Sequence, residues 1–153
     1  MKLKTILITA LIFAITTAYA QSPITKITYK EEVYYITTQV EYPVIGEYKY
    51  ESKGDPTVEL NEGGKGRFQL HGMGKTPMNW GIECDEKGVT KKEEGPGGAR
   101  FILFYQITET NKGVGSGGQT WESGVVGKWD AVELTVSFAD RKINILRERF
   151  KSY

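Results

Sequence analysis

The stretch "LNEGGKGRFQL" (residues 60–70) decides between two fold classes, because it sets three glycines and a lysine between two apolar runs. A phosphate-binding loop needs a strand, the spacing GxxxxGK followed by Ser or Thr, and then a helix whose N-terminus faces the anion. Here Lys65 is followed by the alternating run "GRFQLH", with no Ser or Thr and no helical period. We therefore predict a β-hairpin, with Leu60 and Phe68 on its apolar face.

A second glycine-rich stretch, "GVGSGG" (residues 113–118), fits the letters of the dinucleotide pattern GxGxxG. That pattern requires a strand before it and a helix after it, and "QTWESG" continues without helical character. We interpret residues 110–119 as a long loop and residues 120–129 as an irregular or broken strand.

Short alternating runs separated by Gly, Asn, Asp and Pro continue on both sides of the opening stretch, which is typical of antiparallel sheet. The run "MNWGIEC" places Trp80 and Cys84 on one face, and "DEKG" (residues 85–88) has the composition of a tight turn. The run "ARFILFYQITE" (residues 99–109) is apolar on both faces, so we expect both sides to be covered. We read "INILRERF" (residues 143–150) as one closing strand. The pattern predicts about eight to ten strands joined mostly by hairpins. The expected fold is all-β, an antiparallel up-and-down barrel, with a two-sheet sandwich as the alternative.

The N-terminus has the pattern of a secretory signal peptide over residues 1–20. Lys2 and Lys4 precede an uncharged apolar stretch that is shorter than the roughly 20 residues of a membrane-spanning helix. Ala18-Tyr19-Ala20 forms a small-x-small cleavage site, so we expect an exported protein, periplasmic or extracellular, that does not span the membrane. We assign residues 21–45 to an extended N-terminal segment with a possible helical turn near Lys30–Val33, and residues 46–153 to the barrel domain.

Charge and chemistry narrow the function classes. Lys2 and Lys4 are two of the 20 basic residues, so cleavage leaves 18 against 19 acidic residues and no basic excess for binding nucleic acid. Cys84 is the single cysteine and can form no internal disulfide, so we expect it to be buried. His71, the single histidine, is not set in a recognisable nucleophile or zinc pattern. We therefore predict no catalytic residues, no metal and no cofactor, and we expect the protein not to be an enzyme.

Aromatic and aliphatic residues on many strands must converge inside a closed barrel. They either fill the core or line an apolar cavity of about 300 Å³ or more for a small hydrophobic or amphipathic ligand. The candidate ligand-binding residues are Tyr48, Phe68, Trp80, Leu103, Tyr105 and Val136.

The runs "PVIGEYKYESKGDPTVELNEGGKGRFQL" and "MNWGIECDEKG" resemble the first half of bacterial secreted lipocalin-like proteins, members of the calycin group. The likeness extends over about residues 43–150, although Tyr48 stands where that family has Trp. The resemblance implies a ligand-binding barrel without catalytic activity. It also implies that Arg147 or Arg149 packs over Tyr48 and closes the barrel end.

A second hypothesis is a secreted interaction module, an inhibitor or an envelope-associated subunit, with a filled core. Such a module would act through its loops. The segment 110–128 is the candidate surface, with Trp121 as the aromatic anchor.

Overall fold

The computed structural model describes residues 23–50, 54, 56–69, 72–114, 117–123, 126–137, 141–145 and 148–152. For residues 111–114, 120–123, 144, 145, 148, 149 and 152 the description covers the backbone alone. The signal-peptide prediction, Leu70, His71, Phe138 and Arg147 lie outside the described residues.

Thirteen strands are present in the described parts of the chain, more than the eight to ten predicted, with one short 3₁₀ turn at Glu62–Gly64. In chain order they are β1 (Ile24–Tyr29), β2 (Glu32–Thr37), β3 (Gly46–Tyr50), β4 (Thr57–Leu60), β5 (Lys65–Phe68), β6 (Thr76–Cys84), β7 (Glu93–Gly95), β8 (Gly98–Ile107), β9 (Asn111–Val114), β10 (Thr120–Ser123), β11 (Trp129–Ser137), β12 (Arg141–Ile145) and β13 (Glu148–Ser152).

Eight of these strands close into an antiparallel barrel, in the order β3-β4-β5-β6-β8-β11-β12-β13 and back to β3. Closure depends on two pairings that a sandwich would lack, β13 with β3 and β6 with β8. Strands that are neighbours in the barrel also follow one another along the chain, apart from the inserted strands β7, β9 and β10. The predicted up-and-down barrel is therefore confirmed, and closure pairs edges that would otherwise attract other chains.

The opening stretch forms the β4–β5 hairpin, as predicted. Lys65 begins a strand and not a helix, and the turn closes with a 2.8 Å hydrogen bond from Asn61 N to Lys65 O. Gly63 and Gly64 take positive φ angles of 68° and 73°, which glycine adopts without steric cost. The Trp80 indole Nε1 donates to Asn61 O at 3.0 Å and to Lys65 O at 2.7 Å, so a residue inside the barrel holds this turn in place.

Residues 24–37 form a hairpin outside the barrel, which agrees with the predicted extended structure. The possible helical turn is absent. Lys30 and Glu31 have φ angles of 48° and 70° and make a two-residue turn that matches the twist of the strands. Strand β2 pairs with the last residues of β6, and the hairpin covers the outer face of Phe104.

Alternation along the strands separates the interior from the outside. The buried interior cluster contains Trp80, Phe101, Phe150 and residues from every strand of the barrel. The prediction that β8 is covered on both faces holds at Phe104, which is buried on the outside under Ile27 and Ile36, but it is wrong at Ile102, which lies on the same outer face and is 39% exposed. Cys84 is buried and free, as expected, and burial raises the pKa of its thiol.

Two local predictions were wrong. The expected loop at 110–119 begins with β9, which pairs with β10 in a separate two-stranded sheet. The expected single strand over 143–150 is divided between β12 and β13, which pair with each other. The β9 sequence is polar and glycine-rich and carries no apolar alternation, whereas the closing run has no Gly, Pro, Asn or Asp between Ile145 and Glu148 to mark the turn, so neither pattern reveals its strands.

Candidate ligand-binding cleft

The six predicted ligand-binding residues lie together inside the barrel, but they contact one another. All six belong to one interior cluster, and their exposed fractions range from 0% to 8%. The Phe68 and Tyr105 rings pack with centroids 6.1 Å apart. Side chains around a cavity large enough for a ligand would keep exposed surface, so these six side chains form packed core. That any of the six binds a ligand stays a prediction.

Tyr48 carries a cation over its ring, as the resemblance implies, but the cation comes from another residue. The Arg141 guanidinium carbon lies 5.5 Å from the Tyr48 ring centroid. Arg141 is the first residue of β12, whereas the resemblance places Arg147 or Arg149 there; Arg147 and the Arg149 side chain lie outside the described parts. Burial raises the pKa of Tyr48 to about 12, and the charge of Arg141 opposes this shift.

Residues 38–45, which we call the closing segment, lie at the end of the barrel where β3, β5, β8 and β12 begin. Val44 is buried there, and its carbonyl accepts a 2.5 Å hydrogen bond from the Tyr48 hydroxyl. Arg141 Nη1 donates to Pro43 O at 2.8 Å and to Ile45 O at 2.5 Å. The closing segment is therefore held by hydrogen bonds from two residues of the barrel.

A cleft of about 700 Å³, which we call the end cleft, lies between the closing segment and the connection from β6 to β7. It is lined by Thr38, Gln39, Val40, Glu41, Tyr42, Lys87, Gly88, Val89, Thr90, Lys92 and Phe101. Tyr42 packs edge-on against Phe101, with ring centroids 5.3 Å apart. Val89 is 63% exposed, an isolated apolar side chain at the rim. The end cleft thus combines an apolar floor with polar groups around it.

Lys92 joins the two walls of the end cleft. Its Nζ lies 2.9 Å from Glu94 Oε1 and 3.2 Å from Glu41 Oε2, and 5.3 Å from the Tyr42 ring centroid. The hydrogen bonds to Glu94 and Glu41 raise the pKa of Lys92, and Lys92 lowers the pKa of Glu94. The two walls are therefore tied by an ion-pair network at neutral pH.

Sequence reasoning missed the end cleft. Val40 and Tyr42 lie in the segment set apart from the barrel, and Val89 is one apolar residue in the polar run "DEKGVTKKEE". An exposed valine beside a tight turn was the available signal. Clefts of about 460, 400 and 470 Å³ elsewhere in the described residues each include at most one of the six predicted residues.

Trp121, the predicted partner anchor, lies on β10 opposite Gly113 of β9. Its side chain is outside the described part of the structure. In the described residues β9 and β10 pair with each other and with no barrel strand.

Within the described ranges, no cluster of three or more His, Cys, Asp or Glu side chains is arranged to hold a metal ion. Nor does any helix among those residues have the length and apolar character needed to cross a bilayer. Comparisons of the chain with protein-family models, curated proteins and solved structures found no match.

Proposed function

We propose that the chain is an exported, lipocalin-like, non-enzymatic protein that binds a small amphipathic molecule in the end cleft. The observation that carries the proposal is the volume of this cleft, about 700 Å³. That volume falls within the roughly 300–1,000 Å³ typical of small-molecule sites. The ligand is assigned to the end cleft because the interior side chains already fill the space between them.

The lining chemistry supports an amphipathic ligand. The apolar part of such a molecule would lie against Val40, Tyr42 and Val89, and its polar group would face Lys87 and Thr90. Removing the apolar part from water contributes about 25 cal/mol for each Å² buried. The closing segment is fixed by Arg141, so little ordering of the protein opposes binding.

The test uses 8-anilinonaphthalene-1-sulfonate, an amphipathic fluorescent probe, with the chain beginning at Gln21. We expect one probe per protein and binding at least tenfold weaker in Val89→Glu. Val126→Glu is the matched control, because Val126 is also exposed and lies outside the end cleft. Both variants add one negative charge, so equal losses in the two, or no binding to the parent protein, would contradict the proposal.

Export has its own test in the natural host. We expect the protein in the periplasm or medium to begin at Gln21, as measured by intact mass. Native mass spectrometry of that material should also detect a bound small molecule. A chain that retains residues 1–20 would contradict export, and a ligand-free protein would contradict tight binding in the host.

A second candidate function, protein interaction, is favoured by the β9–β10 hairpin. An isolated two-stranded sheet is only marginally stable, and another surface can stabilise it. If the hairpin binds a partner through Trp121, partner recovery in a pull-down should fall at least tenfold in Trp121→Ala. Equal recovery with parent and variant would contradict this function.

A further inference from the structure

Four outward-facing residues form a row across four neighbouring barrel strands. Lys65 of β5 pairs with Asn79 of β6, Asn79 pairs with Gln106 of β8, and Gln106 pairs with Trp129 of β11. We call these four residues the polar row. Three inter-strand steps of 4.7–4.9 Å make the row about 14 Å long.

Hydrogen bonds fix the orientation of the side chains in the polar row. Lys65 Nζ donates to Asn79 Oδ1 at 2.8 Å, and Asn79 Nδ2 donates to Gln106 Oε1 at 3.2 Å. Gln106 Nε2 then donates to Gly127 O at 2.9 Å. Each amide keeps further donor and acceptor capacity, because a carboxamide can make up to four hydrogen bonds.

The β1–β2 hairpin forms a wall beside the polar row. It covers the neighbouring positions Phe104 and Ala131, and the groove that remains has a volume of about 460 Å³. Pro23, Thr25 and Thr38 lie on the hairpin side of this groove, and Lys65, Asn79 and Trp129 lie on the barrel side. We call it the side groove; it shares Thr38 with the end cleft.

We propose that the side groove binds a saccharide chain of neutral pyranose units. A pyranose ring has an apolar face of C–H groups, which packs against a planar aromatic surface such as the Trp129 indole. The hydroxyls around its edge both donate and accept hydrogen bonds, as the carboxamide of Asn79 in the groove lining does. The length of the polar row gives room for more than one ring.

Other ligand classes fit the side groove less well. An acyl chain would leave the amides and the Lys65 ammonium without water, which costs free energy unless they are paired. An anion would find one cation, Lys65, which already donates to Asn79. A neutral polyol satisfies these groups without adding a buried charge.

The test titrates the chain beginning at Gln21 with three hexasaccharides, built from α-1,4-glucose, β-1,4-glucose and β-1,4-N-acetylglucosamine. Binding is followed by the NMR side-chain amide signals of Asn79, which lines the groove, and of Gln106, which accepts a hydrogen bond from Asn79. We expect at least one of the three to shift both signals saturably, with millimolar or tighter affinity. Failure of all three to shift these signals overturns the proposal.

Substitutions in the side groove test whether the saccharide binds there. Trp129→Ala should weaken it at least tenfold, and Asn79→Ala at least fivefold because a donor and an acceptor are lost. Trp129 also packs against the cluster of Ile27, Ile36 and Phe104, so unfolding curves must show that the variants are folded. Lys65→Met changes an exposed residue of the same groove and should also weaken saccharide binding. Lys49→Met is the matched control, because Lys49 lies on β3 and lines neither the side groove nor the end cleft, and it should leave saccharide binding unchanged. A loss in Lys49→Met equal to that in Lys65→Met would overturn the proposal.

Discussion

At the scale of single residues, Arg141 and Tyr48 determine how the barrel end is closed. Arg141 lies over the Tyr48 ring and donates to the carbonyls of Pro43 and Ile45. Tyr48 donates in turn to the carbonyl of Val44. Because the closing segment has no strand partner of its own, these bonds satisfy backbone groups that would otherwise lose water without replacement.

We expect Arg141→Ala to lower the free energy of unfolding by about 2 kcal/mol, since it removes two hydrogen bonds from a charged donor. Urea unfolding measures the change. The matched control is Arg67→Ala, because Arg67 is exposed on β5 and its loss should cost less than about 0.5 kcal/mol. Equal losses in the two variants would show that Arg141 does not hold the closing segment.

Tyr48 should also make the protein less stable in alkali. Its folded pKa is about 12, whereas a tyrosine in an unfolded chain ionises near 10. Between these values the unfolded state releases a proton that the folded state retains. The stability that buried, neutral Tyr48 contributes is therefore fully present below pH 10 and is lost as the pH rises toward 12. The expected loss is about 1.4 kcal/mol for each pH unit in that interval.

The measurement is urea unfolding at pH 8, 10 and 11 with the parent protein and Tyr48→Phe. The variant loses one hydrogen bond at every pH, but its stability should fall less steeply above pH 10. Buried Tyr105, whose pKa is also raised, is retained in both proteins and cancels in the comparison. Parallel pH profiles would contradict the assignment to Tyr48.

At the scale of elements, the β1–β2 hairpin packs on the barrel through a glycine. A Cβ at Gly81 would lie 2.8 Å from Ile36 Cδ1 and 2.9 Å from Ile36 Cβ, closer than side chains pack. Gly81 therefore lets Ile36 sit directly on β6, where it covers Phe104 together with Ile27.

We expect Gly81→Ala to destabilise the protein by about 1–3 kcal/mol through overpacking. Ile36→Ala should cost about 2–5 kcal/mol by leaving a cavity. The double variant should lose at least about 0.5 kcal/mol less unfolding free energy than the two single variants lose together, because alanine at position 36 relieves part of the clash. Chemical denaturation of all four proteins completes the cycle.

The control pairs Gly81→Ala with Ile143→Ala, a buried residue of β12 inside the barrel, for which the two losses should add. Relative to the parent protein, Gly81→Ala should accelerate the exchange of backbone amide hydrogens more in β1 and β2 than in β11. Additive losses for Gly81 and Ile36 would contradict direct packing of the hairpin on the barrel.

At the scale of the whole molecule, the barrel was predictable because the sequence signals for its strands and hairpins lie within short stretches of the chain. Trp80 and Ile82 alternate with polar neighbours, and the glycines after Leu60 mark a turn, so faces and hairpins follow from periodicity. The position of Arg141 over Tyr48 was not predictable, because a cation can reach the barrel end from either of the last two strands.

The two candidate clefts were not predictable for a related reason. Val40 and Val89 both line the end cleft although 49 positions separate them in the sequence, and residues 38–45 carry no strand periodicity. The polar row needs the register of four strands, which is set by pairing and not by composition. Here Asn79 and Gln106 read as ordinary outward-facing residues until their strands are aligned.

The barrel interior is packed core, and we propose that the ligand binds outside it, in the end cleft. The most direct test is a methyl and indole NMR titration of the chain beginning at Gln21 with dodecanoate. We expect saturable shifts at Val40, Val89 and Thr90, with Leu103, Val136 and the Trp80 indole unchanged. Shifts at Leu103, Val136 and Trp80 with none at Val89 would place the ligand inside the barrel and contradict binding in the end cleft.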